Sequence, residues 1–430
     1  MIRQSAMRVA YLSNQFPSAV EPYVMDEIHK LRRCGVEVVP CSARSCNGQL
    51  DEPLRIFEGQ TLYLQPVHFL PLLRAIILCI RQFGILSDIF KRILLRGPES
   101  PSRRARALLH TLLGAYYALL LEEHGVKHIH VHHGYFSSWI AMVAARLLGV
   151  SFSMTLHGSD LLVHPAYLDV KLKHCKFCLT VSEFNRRYIF ENYPEIQRSK
   201  VIIQYMGVDV AVTTSASEVA PSKALVMLAV GRLHPIKNHS FLMHACHELK
   251  KRGLTFICSI AGEGPERTAL KQTIVELKLE KEVRLLGHLS RECLGSLYDQ
   301  SNLVVLTSHS EGVPLVLMEA MSHGRIVLAP AITGIHELVV DGKTGFLYRP
   351  GSMEHFLEQL LLIHAQPNLE YVSNAGRQHV LRHFNREKNL AVFSQVFIER
   401  TFAGAQHTNY ANPLLQQVQL SIQRHRNLFI

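Results

Sequence analysis

The chain has 430 residues, more than one typical hydrophobic core can organise, so length alone predicts two or three domains. With 48% hydrophobic and 19% charged residues, the composition is that of a soluble globular protein and argues against a disordered or fibrous chain. The formal net charge of +11 favours acidic partners such as nucleic acid, anionic lipid or phosphorylated ligands.

The cysteines and the N-terminus favour a cytoplasmic location. Nine cysteines are an odd number and have no framework spacing, which indicates a reducing compartment. Cys175 and Cys178 form a C-x-x-C, but no second pair or nearby histidine completes a zinc set, so we expect ordinary buried thiols. The N-terminus lacks the long apolar region and cleavage site of a signal peptide, and no run of about 18 apolar residues predicts a membrane span.

Strand-like and helix-like segments alternate through the first half of the chain. The strand-like runs are "MRVAYLS", "VEVVPCS", "HIHVHH", "SFSMTLHG", "FCLTVS" and "VIIQYMG". The helix-like runs are "YVMDEIHKLRRCG", "SSWIAMVAARLLG" and "EFNRRYIFENY". This alternation predicts an α/β domain whose parallel sheet is covered by helices on both faces.

A polar stretch, "VTTSASEVAPSK", then interrupts the pattern before the alternation restarts. The second set of runs is "ALVMLAVG", "SFLMHACHELKKRG", "LTFICSIAG", "ERTALKQTIVELKL", "VRLLG" and "LVVLTS". We therefore predict two Rossmann-like domains, over 1–209 and 224–385, joined by a linker over 210–223 and facing each other across a cleft. Residues 386–430 are predicted to form a C-terminal helix that crosses back to the first domain, followed by a tail.

The loop after the first strand of the second domain, "GRLHPIKN", carries Arg232 and Lys237. Ligands bind outside the carboxyl ends of the strands in open parallel sheets. Two cations at such a position suit a diphosphate, because phosphate favours paired cations. The alternative is a pair of solvated loop charges.

The loop after the next strand, "AGEGPER", begins like a dinucleotide fingerprint, with Gly262 and Gly264 on either side of Glu263. Arg267 stands where the third glycine belongs. The loop is therefore a weak cofactor signal, and we interpret it as a wall on the phosphate or base side of a site.

The stretch "SHSEGVPLVLMEAMSHG" follows the strand "LVVLTS" and carries two carboxylates in an apolar run. Pro314 at the first helical position and Gly324 beyond the last turn delimit one predicted helix. Glu311 then lies in the loop before this helix, and Glu319 in its second turn. Because a desolvated carboxylate needs a partner, either both acids are exposed or they serve a polar ligand.

The predicted helix N-terminus, near Gly312 and Val313, presents backbone amides that favour polar or anionic groups. Two carboxylates beside these amides suit the hydroxyls of a sugar and of a ribose, because each accepts hydrogen bonds. The alternative is one helix-capping acid and one surface glutamate.

These segments together carry a family resemblance. "VGRLHPIKN", "IAGEGPER", "LLGHLS" and the stretch from "SHSEGVPLVLMEAMSHG" to "GFLYRPG" resemble the C-terminal domain of the retaining family 4 glycosyltransferases, which have the GT-B fold. The resemblance covers about 130 residues in order and includes both glutamates. In the first half, "SNQFPSAVEPYVMDEIHKLRRCGVEV", "HIHVHHG" and "TLHGSDLL" resemble the subgroup that assembles exopolysaccharides and surface polysaccharides.

The resemblance implies a role for each candidate. Arg232 and Lys237 would neutralise the donor diphosphate, Glu319 would hold the nucleotide ribose, and Glu311 would hold the transferred sugar. His157 in "TLHGSD" matches the family histidine near the anomeric centre, and its alternative is a core histidine at a strand end. Further donor or acceptor contacts are expected at Gly312, Val313, Pro314, Glu263, Gly264, His288 and Glu21.

Two features refine this interpretation. The first loop, "NQFPSAVEPY", lacks the glycine pair of many family members, and Glu21 stands where the polysaccharide subgroup places an acid. His130 and His132 alternate along one strand face, but no carboxylate or cysteine lies in register with them. We therefore predict a structural role for both histidines and no bound metal.

The expected function is that of a retaining, hexosyltransferase-type enzyme that moves a sugar from a UDP- or GDP-sugar to a saccharide or lipid-linked saccharide acceptor in polysaccharide biosynthesis. No D-x-D occurs, so neither a metal nor another cofactor is expected, and nucleic acid is not an expected partner. The alternatives are a catalytically silent GT-B scaffold subunit of a polysaccharide assembly complex and a sugar-nucleotide epimerase.

The segment from Leu64 to His110 has eight Arg or Lys residues against two acids, Asp88 and Glu99, with leucine, isoleucine and phenylalanine in most other positions. Cations that recur at helical intervals among apolar residues suit the headgroup region of an anionic membrane. We expect peripheral binding at the inner face of the cell membrane, with Arg103, Arg104 and Arg106 among the contacts. The alternative is a set of helices that pack on the sheet.

Overall fold

The computed structural model describes residues 7–18, 21–45, 52–95, 97–209, 224–366 and 368–402. It contains two parallel β-sheets, each with helices between its strands. The predicted linker, residues 210–223, and the predicted tail beyond residue 402 lie outside the described residues.

The first sheet has seven strands in the order β3-β2-β1-β4-β5-β6-β7. Their bounds are β1 Arg8–Gln15, β2 Glu37–Arg44, β3 Leu62–Tyr63, β4 His128–His132, β5 Ser151–Leu156, β6 Cys178–Thr180 and β7 Val201–Ile203. The five central residues of β1, "VAYLS", are all buried because helices cover both faces of the sheet.

Nine helices accompany these strands among the described residues. They are α1 Pro22–Arg33, α2 Glu52–Glu58, α3 Phe69–Arg81, α4 Phe83–Leu94, α5 Pro101–Glu122, α6 Phe136–Leu148, α7 Ser159–Leu162, α8 Leu168–His174 and α9 Glu183–Asn192. Helix α1 begins at Pro22, whose fixed φ suits a first helical position. Helix α6 is the most buried, because its small and apolar residues from Ser137 to Ala145 are all inaccessible.

The second sheet has six strands in the order β10-β9-β8-β11-β12-β13. Strands β9 and β10 are added on one side of β8 and strands β11 to β13 on the other, so the strand order reverses beside β8. Their bounds are β8 Leu225–Val230, β9 Phe256–Ala261, β10 Val283–Gly287, β11 Leu303–Val305, β12 Ile326–Pro330 and β13 Phe346–Tyr348. The helices that follow are α10 His239–Lys251, α11 Arg267–Glu276, α12 Arg291–Gln300, α13 Leu315–Ser322, α14 Ile335–Leu338, α15 Met353–Ala365, α16 Glu370–His383 and α17 Arg386–Phe402.

The strands and helices predicted from the alternating pattern are present, with small differences at their ends. The strand "LVVLTS" ends at Val305, and the loop that carries Glu311 follows it. Pro314 is the residue before α13 rather than its first residue, because its ψ of 121° is extended. The elements that were not predicted are strands β3, β12 and β13 and helices α2, α7, α8, α12, α14, α15 and α16.

Contacts among the described residues group the chain into two compact units, whose ranges below apply to those residues alone. The first comprises Met1–Met154, Val170–Phe177 and Leu390–Ile430, and the second comprises Thr155–Asp169 and Cys178–Asn389. Most of α17 therefore belongs to the unit built by the N-terminal residues. Its Phe397 side chain is fully buried, and its ring centroid lies 5.1 Å from that of His130 and 6.2 Å from that of Tyr11.

The histidines of β4 lie in a buried polar network. His132 Nε2 lies 3.0 Å from Glu27 Oε2, and the Tyr11 hydroxyl donates to the same carboxylate oxygen. His130 Nδ1 and Ser153 Oγ are hydrogen-bonded at 2.7 Å. The expectation that no carboxylate stands beside these histidines is wrong, because Glu27 comes from helix α1 and not from the sheet.

This network brings potential ligand atoms of Glu27, His130 and His132 to within 4.8 Å of one another. Burial lowers the pKa of His130 well below its usual value and raises that of Tyr11, so both groups are neutral near pH 7. The hydrogen bonds satisfy these buried groups within the protein, which agrees with the predicted structural role. Cys175 and Cys178 are buried, and their thiols donate to the backbone carbonyls of Leu172 and Leu179.

Helices α3 and α4 differ from the rest of the first unit, because most of their large apolar side chains are exposed. In the described part of the chain, no single helix has the length and hydropathy of a membrane span. The pair α3 and α4 meets that criterion only when the two are taken together, and the chain bends by 90° between them.

We predict that Phe397→Ala lowers the free energy of unfolding by about 3–5 kcal/mol, because a fully buried phenylalanine leaves a cavity among rings that cannot close around it. The urea midpoint measures the loss. The matched control is Phe69→Ala on α3, where the ring is 76% exposed and we expect a change within about 0.5 kcal/mol. Equal midpoints for the two variants would contradict the packing of α17 in the first unit.

Candidate active site

The predicted site residues of the second unit cluster in loops at the carboxyl ends of its strands. Lys237 lies in the loop after β8, in a 3₁₀ turn over Pro235–Lys237, and Glu311 lies in the loop after β11. Because β8 and β11 are parallel neighbours, their carboxyl ends meet at one edge of the sheet.

Lys237 and Glu311 form an ion pair, with 2.6 Å between Nζ and Oε1. Both side chains are largely withdrawn from water, at 17% and 11% exposed. Ser308 Oγ donates a second hydrogen bond to the same Glu311 oxygen at 2.5 Å. The predicted phosphate-binding cation and the predicted sugar-binding carboxylate therefore stabilise each other, which removes the penalty of an unpaired buried charge.

Backbone contacts fix the two loops that carry this pair. The Thr307 hydroxyl donates to the Lys237 carbonyl at 2.9 Å, and the His309 amide donates to the Ile236 carbonyl at 2.8 Å. The Thr333 hydroxyl, from the loop after β12, donates to the Glu311 carbonyl. These hydroxyls were not predicted as site residues, because serine and threonine near strand ends give no distinctive sequence signal.

Arg232 lies in the same loop as Lys237, but its side chain is exposed. Its backbone carbonyl accepts a hydrogen bond of 3.3 Å from His239 Nε2, so the buried histidine holds the loop. The guanidinium is therefore available to a ligand at the edge of the sheet.

His157 reaches this loop cluster from the end of β5 and belongs to the same compact unit. A side-chain Cβ at Gly312 would lie 2.3 Å from the His157 carbonyl oxygen, so only glycine permits this approach. The buried Asp160 carboxylate fixes the histidine loop by accepting from the amides of His157 and Gly158 at 3.1 and 2.8 Å. The structure thus brings His157 beside the Glu311–Gly312 segment, and Asp160 is a positioning residue that was not predicted.

Glu319 lies in the second turn of α13, as predicted, and is half-buried. Its Oε2 accepts a hydrogen bond of 2.8 Å from the Tyr298 hydroxyl. Burial raises the pKa of Glu319, and the Tyr298 hydroxyl opposes that rise by stabilising the carboxylate. Tyr298 comes from α12, a helix that was not predicted, so this positioning residue was missed from the sequence.

The remaining donor-side candidates have different environments. Val313 is buried in the hydrophobic core, so only its backbone can contact a ligand, and Pro314 caps α13. Glu263 is paired with Arg267 at 2.6 Å. Gly264 has a packing role, because a Cβ there would lie 2.3 Å from the Leu233 carbonyl oxygen.

The other two candidates are His288 and Glu21. His288 is exposed and follows β10, the edge strand of the second sheet. Glu21 belongs to the first unit, where its Oε1 lies 2.8 Å from His133 Nε2. Glu21 follows β1 and His133 follows β4, so this pair lies at the carboxyl ends of neighbouring strands of the first sheet.

Comparisons with known families match most of the chain. The family described as "Glycosyltransferase Family 4" matches residues 20–212, and "Glycosyl transferases group 1" matches residues 211–379. Together the two matches include every candidate residue named above.

Curated relatives agree with this assignment. A putative colanic acid biosynthesis glycosyltransferase of Salmonella typhimurium is 31% identical over 196 residues, which are 44% of this chain and 48% of that protein. The amylovoran biosynthesis glycosyltransferase AmsK of Erwinia amylovora is 29% identical over 194 residues, again 44% of this chain and 48% of that protein. The chain thus matches about half the length of these relatives.

A solved structure extends the likeness to the whole fold. Anabaena HepE, crystallised in complex with UDP, superposes with a TM-score of 0.64 over 91% of this chain and 99% of HepE, at 17% identity. At this identity the likeness concerns the fold alone. The two matched families, the curated relatives and the two parallel sheets agree: the chain belongs to the family 4 glycosyltransferases and has their GT-B fold of two Rossmann-like domains.

Proposed function

We propose that this protein transfers a hexosyl group from a nucleoside-diphosphate sugar to a saccharide acceptor in polysaccharide biosynthesis, and that the transferred sugar keeps its α configuration. The observation that carries the proposal is the ion pair of Lys237 and Glu311 at the carboxyl ends of β8 and β11, beside Gly312 and the start of α13. A cation, a carboxylate and helix amides at one point suit a ligand that is both phosphorylated and hydroxylated.

Each group has a distinct task in this proposal. Lys237 and Arg232 neutralise the diphosphate as it leaves, and the α13 amides stabilise the charge that develops on it. Glu311 accepts hydrogen bonds from hydroxyls of the transferred sugar, while Ser308 keeps its carboxylate oriented. Glu319, held by Tyr298, accepts from the ribose hydroxyls.

In the bond-changing step, the bond between the anomeric carbon and the diphosphate oxygen breaks. The acceptor hydroxyl oxygen bonds to the same face of the anomeric carbon, and its proton passes to a leaving phosphate oxygen. The products are the glycosylated acceptor and the nucleoside diphosphate. The His157 backbone beside Gly312 places the imidazole loop next to the sugar-binding carboxylate, where the ring hydrogen-bonds the donor sugar.

The donor, the acceptor and the independence from metal belong to the same proposal. HepE was crystallised with UDP and with UDP-glucose, which supports a uridine nucleotide as the donor base for this chain. The relatives named for colanic acid and amylovoran biosynthesis support a saccharide acceptor, which we propose is lipid-linked. The cations Lys237 and Arg232 take the role that a diphosphate-bridging metal has elsewhere.

The direct test begins with a screen of UDP- and GDP-sugars by thermal shift, followed by a transfer assay in EDTA with the best donor. We expect a new glycosidic product with an α linkage by NMR and undiminished turnover without divalent metal. A donor that binds without any product indicates the silent scaffold, and a changed free sugar nucleotide indicates the epimerase. Activity that is lost in EDTA and restored by magnesium or manganese would overturn metal independence.

We predict that Lys237→Ala and Arg232→Ala each lower kcat by about 10²- to 10³-fold, because each removes a charge that stabilises the departing diphosphate. The measurement is steady-state transfer, with the thermal midpoint recorded because Lys237→Ala also leaves Glu311 without its cation. The matched control is Lys251→Ala on α10, whose ammonium pairs with Glu248 on an exposed face. Near-wild-type turnover in both site variants would refute the diphosphate assignment.

The two glutamates should differ in effect. Glu319→Gln should weaken binding of the free nucleoside diphosphate by about 10- to 100-fold, because hydrogen bonds to the ribose lose a charged acceptor. Glu311→Gln should leave that affinity nearly unchanged and lower turnover, because its partner is the sugar. Calorimetric titration with the nucleoside diphosphate, alongside donor kinetics, measures both effects.

Tyr298→Phe provides the control for the Glu319 assignment, because it removes the hydroxyl and keeps the ring. Without that hydroxyl the pKa of Glu319 should rise further, since burial is then opposed only by the charges of Arg291, His323 and Arg386. Nucleotide binding needs the ionised carboxylate. As the pH is lowered, the affinity of Tyr298→Phe for the nucleotide should therefore begin to fall at a higher pH than that of the wild type. Equal losses in Glu311→Gln and Glu319→Gln, or an unshifted pH profile in Tyr298→Phe, would show that the assigned roles are wrong.

A further inference from the structure

Helix α3 carries its apolar residues on the face that points away from the protein. The stripe consists of Phe69, Leu70, Leu73, Ile76, Ile77 and Ile80, which are between 39% and 76% exposed. At about 100° per residue, these six positions occupy an arc of about 120°. Ala75, the one fully buried residue of α3, lies on the opposite side, where the helix packs on α5.

A single exposed leucine needs no explanation, but six large apolar side chains on one helical face do. Soluble monomers rarely expose a contiguous apolar patch of more than roughly a few hundred Å² unless it binds something. The exposed face continues into α4, where Phe83 is 56% exposed and Leu94 is 53% exposed. The α3 stripe is therefore a candidate docking surface.

The charges around the stripe identify its partner. Arg74 and Arg81 are exposed and lie at one edge of the stripe, about 20–40° beyond its last apolar position. Lys91, Arg103 and Arg106 add exposed cations on the neighbouring helices.

The acids of this region do not offset these cations. Asp88 is paired with Arg146, and Glu99 is paired with Arg92. The surface therefore combines an apolar face with net positive charge.

One predicted contact has a different role. The Arg104 guanidinium donates to the backbone carbonyls of Leu94, Gly97 and Glu99, at 3.0, 2.7 and 3.0 Å. It fixes the connection from α4 to α5 and is excluded from the set of surface cations.

We propose that the α3 stripe docks on an anionic lipid bilayer, with its apolar side chains in the acyl boundary and Arg74 and Arg81 among the headgroups. Long cationic side chains at the edge of an apolar helix face suit this interface, because their stems lie on apolar surface while their charges reach the lipid phosphates. A second copy of the chain is a poorer partner, because pairing two such surfaces would bring like charges together. The inference does not rest on the proposed function, since docking requires neither donor nor acceptor.

Co-sedimentation of the full chain with vesicles tests the proposal. Phosphatidylcholine vesicles alone are compared with vesicles that also contain phosphatidylglycerol, at low and high salt. We expect binding to the anionic vesicles that weakens with salt. No pelleting with either vesicle, or equal pelleting with both, would overturn the proposal.

Two double variants separate the apolar and the charged contributions. Leu70→Ser with Ile80→Ser should lower the partition coefficient on anionic vesicles by about tenfold or more. Arg74→Gln with Arg81→Gln should lower it by about 25-fold, at roughly a fivefold loss for each cation near the surface.

The matched controls change residues of similar exposure in the second unit. Val275→Ser with Tyr371→Ser replaces apolar side chains that are 61% and 62% exposed, against 70% and 69% for Leu70 and Ile80. Lys271→Gln with Lys281→Gln removes two exposed cations. Neither control should change binding, and a control that loses as much as its test variant would overturn the assignment to α3.

Other occupants of the stripe have distinct outcomes. If the wild type self-associates without lipid and Leu70→Ser with Ile80→Ser makes it monomeric, a second copy covers the stripe. If the same double variant lowers the thermal midpoint by several degrees, a segment of this chain outside the described residues covers it. Either result would refute the lipid surface. An unchanged midpoint together with lost vesicle binding supports it.

Discussion

The candidate site depends on how the protein stabilises charges that it has removed from water. Lys237 and Glu311 are each largely inaccessible, and each provides the counter-charge for the other. Without this pair the loops after β8 and β11 would each bury an uncompensated charge, which costs several kcal/mol. The pair, together with the Ser308 and Thr307 hydroxyls, also holds both loops in one arrangement.

A second carboxylate is stabilised in a different way. Glu319 has no cation in direct contact among the described side chains, and its hydrogen bond comes from the neutral Tyr298 hydroxyl. A neutral donor orients the carboxylate without satisfying its charge, so the group retains a strong preference for further hydroxyl donors. Glu311 in the loop and Glu319 in the helix that follows it thus differ in electrostatic environment. This difference agrees with the proposal that the two glutamates contact different parts of one ligand.

Much of the fold could be predicted from the sequence, because buried parallel strands are continuous apolar runs and the helices between them have a regular period. Lys237 and Glu311 were also foreseeable, because residues that follow parallel strands meet at one sheet edge. The direct ion pair between them could not be predicted, since it depends on the conformation of the two loops. Tyr298 and Glu27 were missed for a related reason: each acts through a contact with a separate segment of the chain, and a single sequence contains no signal for such contacts. Asp160 was missed although its partners, the amides of His157 and Gly158, are local, because an aspartate in a loop gives no distinctive sequence signal.

The burial of Phe397 against Tyr11, His130 and Phe177 has a consequence for how the chain folds during synthesis. The first compact unit resumes at Leu390, after an interval of just over 200 residues that belongs to the second unit. At about 5–20 residues per second, a ribosome needs roughly 10–40 s to cross that interval. Throughout this delay the nascent first unit lacks the aromatic side chain that completes its core, so we expect the second unit to complete its fold first.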